Sequence, residues 1–182
     1  QAEGKTVVEL AGINANPRYT QLLEGARLVR EHHIDLILAV GGGSVIDCAK
    51  GIACAAYAEG DVWQRYYVNQ EPITNPVVPV GSILTMAGTG SEMNSGSVIT
   101  NEAENLKIGR VYPLALVTPR FSILNPEYTY SVPKYQMISG IFDIFSHLME
   151  QYFSGDDDCT SDYLIEGLML SLISASRKAI VN

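Results

Sequence analysis

Five apolar residues, Leu36 to Val40, run straight into Gly41-Gly42-Gly43-Ser44, and Val45, Ile46, Ala49, Ile52 and Ala53 follow at helical spacing. A short all-apolar run is the pattern of a strand buried on both faces of a parallel sheet. Three glycines remove every side chain where the backbone has to turn, and Ser44 stands where a helix N-cap would sit. Strand, glycine turn and helix N-terminus together make an anion site, because free N–H groups and the helix dipole face a point that no Cβ obstructs. Two readings stay open at this stretch alone. It is a phosphate cradle or a plain tight turn, since its spacing is not the six-residue dinucleotide fingerprint.

Composition narrows the surroundings. With 182 residues the chain holds one good-sized domain, or one domain with part of a second. A net charge of −8 and the lack of a basic patch argue against nucleic acid or an anionic membrane as partner. Cys48, Cys54 and Cys159 are odd in number and form no C-x-x-C pair, so reduced thiols are expected rather than a disulfide framework. No apolar run reaches the length of a membrane span and no signal-peptide layout opens the chain, which makes the cytoplasm the expected location.

Along the chain, Thr6–Leu10 reads as a strand, and Asn16-Pro17 as the start of a helix carrying Leu22, Leu23, Ala26, Leu28 and Val29. His32 and His33 close it as solvated cations at the C-terminus. Gly60 to Asn75 is polar and turn-rich, with Trp63, Tyr66 and Tyr67 expected to pack over the surface. Val77–Val80 and the residues beyond predict a second buried strand, which enters another small-residue loop, Thr85 to Asn94, with Ser91 as a capping candidate. In a doubly wound sheet ligands lie outside the carboxyl ends of strands, so two such loops would line one crevice. Gly96–Asn101 and the Lys107–Val111 region look like a hairpin, and Leu114–Val117 and Phe121–Leu124 like further strands. From Val132-Pro133 the period changes to 3.6: Met137, Ile138, Ile141, Ile144, Phe145, Leu148 and Met149 mark one long helix. Leu164, Leu168, Leu170, Leu172 and Ile173 mark a second, from about Ser161 to Ile180. The expected organisation is an α/β domain over residues 1–131 and the first helices of an all-α domain over 132–182.

Asp143 and His147 leave the first long helix on one face, a turn apart. Such a pair either shares a divalent cation or forms a surface i,i+4 pair with no metal, and two ligands fall short of the three or more usual at a catalytic ion.

Four stretches resemble the iron-containing (group III) alcohol dehydrogenase family, in its butanol dehydrogenase-like branch. They are GGGSVIDCAK at 41–50, LTMAGTGSEMN at 84–94, SVITNE at 97–102, and the run from Ser122 through Pro133, Gly140, Asp143, His147 and Glu150. Asn125 departs from the acidic residue usual in the family at that place. The resemblance implies a Rossmann-like parallel sheet with helices, followed by helices of a dehydroquinate synthase-like architecture. It implies that Gly42, Gly43 and Ser44 hold the diphosphate of NAD or NADP, that Thr85 and Asn94 contact the cofactor, that Lys107 reaches its charged groups, and that Tyr128 covers it. It makes Asp143 and His147 two ligands of a divalent metal, iron or zinc, with two further histidines supplied by later helices. No histidine follows His147 here, so the chain reads as the middle portion of a longer enzyme.

The implied reaction is hydride transfer between a small primary alcohol or aldehyde and NAD(P), in an enzyme that, like much of the family, forms a homodimer. A cofactor-binding or assembly module without catalysis is the competing expectation. A third is a relative such as glycerol dehydrogenase or dehydroquinate synthase.

Overall fold

The computed structural model describes residues 4–155 and 159–181. By Cα proximity the chain divides into two compact units, one of Gln1–Thr85 with Gly90–Asn125 and one of Met86–Thr89 with Pro126–Asn182. The division falls at 125/126 rather than at the expected 131/132, and it assigns four loop residues to the helical unit.

The first unit is built around one helix. Strand β1 (Ile37–Gly41) leads through the glycine turn into α2 (Gly43–Ala55), which follows α1 (Tyr19–Glu31) in the chain. Strands β2 (Val80–Leu84) and β5 (Ser122–Ile123) complete a parallel sheet in the order β1-β2-β5, with Ile37 opposite Val80 and Ser82 opposite Ser122. Strands β3 (Gly96–Asn101) and β4 (Leu106–Val111) form the expected antiparallel hairpin, and α3 (Leu114–Val117) is a single turn. One side of α2 packs Ile46, Ala49 and Ala53 on Ala39, Val80 and Leu84 of the sheet. Its other side packs Cys48 and Ile52 with Leu22 and Ala26 of α1, Ile99 of the hairpin, and Trp63 and Tyr67. Apart from Ser44, Asp47 and Lys50, α2 is apolar on every side, the mark of a buried helix.

Several expectations are corrected. Thr6–Leu10 is irregular, and among the described residues it pairs with no strand of the sheet. Among the described residues β1 ends the sheet, and Leu38 and Val40 face away from α2 with Val40 56% exposed, so the strand is buried on one face only. The second strand starts three residues later than expected. Pro79 has no N–H to give a ladder, and its carbonyl accepts the Ile37 N–H at 2.9 Å just before β2 begins. Trp63, Tyr66 and Tyr67 are core rather than surface: a π-helical turn, Trp63–Val68, turns all three inward, and Trp63 stacks on Tyr67 with centroids 5.3 Å apart. Leu114–Val117 is helical because Pro113 pre-sets φ at its entrance.

The second unit holds two antiparallel helices, α4 (Lys134–Tyr152) and α5 (Thr160–Val181). The Lys134 ammonium donates to the Ile180 carbonyl at 2.7 Å, and Tyr152 to Glu166 at 2.9 Å. On α5 the half-buried side is Ile165, Met169 and Leu172, so Leu164, Leu168 and Leu170 of the expected apolar face are exposed.

Candidate functional site

At the N-terminus of α2 the cap is Gly42, not Ser44. The Gly42 carbonyl accepts the Val45 and Ile46 N–H groups at 3.1 and 3.2 Å, and its backbone is extended with φ −87°. Ser44 therefore lies in the first turn, where backbone N–H groups lack intrahelical partners and the dipole favours an anion. Its Oγ accepts the Asn16 N–H at 3.2 Å, which leaves the hydroxyl hydrogen to donate elsewhere. Asn16 Oδ1 in turn accepts from the Lys107 ammonium at 2.6 Å. The reason for this meeting is long-range. Residues 17–18 run beside β3, with the Thr100 N–H on the Pro17 carbonyl at 2.9 Å, and Thr100 stands opposite Lys107 across the hairpin. Asn16 adopts a left-handed φ of 59°, so it ends the incoming segment instead of capping a helix, and α1 starts after Arg18. Thr85 joins this end of the unit through its N–H, which donates to the Gly41 carbonyl at 3.1 Å.

One turn further along α2 lies a polar hub that sequence reasoning missed. Lys50 is fully buried, and its ammonium donates to Ser91 Oγ (3.0 Å), Asn94 Oδ1 (3.0 Å) and the Gly96 carbonyl (2.9 Å). Asp47 accepts from Ser91 Oγ at 2.5 Å and from the Val98 N–H at 3.0 Å, while its own carbonyl accepts from Ser97 Oγ at 2.8 Å. Burial pulls the Lys50 ammonium down to about 8 and pushes the Asp47 carboxyl up, against the hydrogen bonds from Ser91 and Val98. Ser91 is thus a buried link and not a cap. Gly90 holds the cap position of the short 3₁₀ turn Ser91–Met93, at a φ of +64° that suits glycine. The sequence signal was present as Asp47 and Lys50, two charges three residues apart on a helix otherwise apolar on every side.

In the second unit, Asp143 and His147 are where the spacing placed them, with Oδ1 and Nε2 3.7 Å apart. Two metal–ligand bonds of about 2.1 Å reach across that gap, so one cation fits between carboxylate and imidazole. On the other side of the ring Nδ1 lies 3.8 Å from Glu150 Oε2, beyond hydrogen-bond distance. The pair fits a divalent ion as two of its ligands, and among the described residues no group of three or more His, Cys, Asp or Glu side chains is gathered to hold one. The loop Met86–Thr89 packs on this helix: a Cβ at Gly88 would stand 3.1 Å from Asp143 Oδ2, and one at Gly140 only 2.5 Å from the Ala87 carbonyl oxygen. Tyr128 lies exposed on the short turn Pro126–Thr129.

The structure therefore gathers Gly42, Gly43, Ser44, Thr85 and Lys107 at one end of α2, with Asn16 as the unforeseen bridge. Asn94 is tied instead to Lys50, and Asp143 with His147 form a pair in the other unit.

Comparison with known proteins gives this arrangement its class. A family model described as iron-containing alcohol dehydrogenase matches residues 1–126, and the chain belongs to that family. The probable NADH-dependent butanol dehydrogenase 1 of Bacillus subtilis is 46% identical over 178 residues, 97% of this chain and 45% of that protein. The NADPH-dependent aldehyde reductase YqhD of Escherichia coli is 40% identical over 181 residues, 98% of this chain and 46% of that protein. The crystal structure of NADH-dependent butanol dehydrogenase A from Thermotoga maritima superposes with a TM-score of 0.88 at 33% identity, over 94% of this chain and 42% of that one. The fold is thus a Rossmann-like parallel sheet with helices followed by a helical region. The chain spans about half the length of the relatives it matches.

Proposed function

We propose that this chain serves an NAD(P)-dependent alcohol dehydrogenase that interconverts a small primary alcohol and its aldehyde. The observation that carries the reading is the connected set Lys107–Asn16–Ser44 at the N-terminus of a 13-residue buried helix. A hydroxyl donor, first-turn N–H groups and an ammonium converge there, which is what a diphosphate needs. In this reading Gly42, Gly43 and Ser44 hold the diphosphate, Lys107 meets its charge, Thr85 and Asn94 contact the cofactor, and Tyr128 covers it. Asp143 and His147 would hold a divalent cation, iron by the family's description. The cation supplies Lewis acidity toward the alcohol oxygen, and the nicotinamide accepts or returns the hydride. The protein's part is to bind both reactants, fix their approach and exclude water. Relatives named as dehydrogenases and a reductase support this over a non-catalytic module, and their names cover both NADH and NADPH.

Nucleotide titration tests the reading. Ser44→Ala is expected to weaken NADH or NADPH binding by roughly ten- to a hundredfold, the size of one lost hydrogen bond to a charged group. Unchanged affinity would remove Ser44 from the site. His147→Ala should lose bound divalent cation on dialysis together with alcohol-dependent reduction of the nucleotide. Metal and turnover both retained refute the ligand pair.

A further inference from the structure

All three N–H bonds of a fully buried ammonium are spent on one short segment, residues 91–96. An amine placed so deep costs desolvation, and a helix whose neighbouring positions are apolar has no packing need for it. What Lys50 determines is the pose of Asn94. Its Oδ1 accepts both the Lys50 ammonium (3.0 Å) and the Gly96 N–H (2.9 Å), so the carboxamide oxygen is held toward the buried hub. The other arm of the planar amide then points away from that hub, on a residue that is itself exposed. The amide cannot flip without setting its NH2 against an ammonium and a backbone N–H. Asp47 reinforces the pose from the same helix by gripping Ser91 and the Val98 N–H.

We propose that Lys50 is a positioning residue, which locks the Asn94 carboxamide so that its NH2 group is presented as a hydrogen-bond donor to the nicotinamide cofactor. This deepens the cofactor reading above and rests on it. Lys50 touches no ligand; it acts through Asn94 and the backbone at Gly96.

The test uses the intact protein, with NADH and NADPH as probes and thermal midpoints recorded alongside. Lys50→Met is expected to raise the cofactor Kd about tenfold and Asn94→Ala by a similar factor, while the double variant is no weaker than either single one. Asn94→Asp keeps an oxygen for Lys50 but replaces the donor arm with a second acceptor. It is expected to keep or raise the thermal midpoint while losing cofactor affinity, a split that a merely structural Lys50 would not produce. Should Lys50→Met fail to fold, Asn94→Asp decides alone: cofactor affinity equal to wild type overturns the proposal. So does a Lys50→Met protein that folds and binds like wild type, or a double variant whose losses add. A wild-type protein that binds neither nucleotide overturns the cofactor reading itself, and this inference with it.

Discussion

One methyl group at position 140 would meet the Ala87 carbonyl oxygen at 2.5 Å, well inside contact distance. In a helix interior Gly→Ala gains about 1 kcal/mol of propensity, but here the obstacle is backbone and cannot swing aside. Gly140→Ala is therefore expected to destabilise the protein by about 1–2 kcal/mol net, read as a lower urea midpoint at unchanged m-value. Asn16 carries the opposite lesson. Its sequence context, Asn before Pro, reads as a helix start, yet its left-handed backbone and its bonds to Lys107 and Ser44 make it a bridge across 91 and 28 residues of chain. No local pattern reports a partner that far away. Asn16→Gly keeps the φ > 0 conformation and the backbone N–H that Ser44 Oγ accepts, and removes only the side-chain oxygen that accepts from Lys107. It is expected to weaken nucleotide binding about threefold or more, with a thermal midpoint close to wild type. Equal affinity would show that the Asn16–Lys107 contact plays no part in nucleotide binding.

Among the elements, β1, the glycine turn and α2 were legible because the apolar run, the three glycines and the helical period all point to one local structure. The β3–β4 hairpin was legible for the same reason. The aromatic segment at 63–67 was not: its polar neighbours suggest surface, and only the packing of Trp63 and Tyr67 against α1 and α2 makes it core. The glycine turn at Gly42–Ser44 could be read locally, whereas the Lys50 hub depends on a loop more than 40 residues on. Helix α2 also buries two thiols. Burial pushes Cys48 and Cys54 both up to about 12, against an ordinary thiol value near 9. The folded state then holds protons that the unfolded chain gives up, so their contribution is complete below about pH 9 and is lost as pH rises toward 12. Each thiol can remove up to about 1.4 kcal/mol per pH unit across that window. The urea midpoint should fall more steeply between pH 8.5 and 10.5 in wild type than in the Cys48→Ala/Cys54→Ala variant. Parallel slopes would show that other groups govern the alkaline limit.

At the scale of the molecule the two units differ in how much they bury. The first has a core of large, fully buried side chains on α1, α2 and the aromatic turn, whereas Gly140 is the buried residue of α4, and Phe142, Phe153, Tyr163, Leu164 and Leu170 stand exposed. Local stability follows buried apolar contact, so amides of α4 and α5 should exchange with deuterium orders of magnitude faster than those of α2. The same exposed side chains should bind a hydrophobic dye under native conditions. Uniform protection across both units would contradict this.

The four residues Met86–Thr89 belong with α4 although the chain on both sides of them belongs with the sheet. Splitting the gene at 125/126 would therefore not liberate an autonomous helical module, because its innermost wedge would stay behind on the other product. Recombination between relatives at that junction should succeed only when the 86–89 loop and Gly140 travel from the same parent.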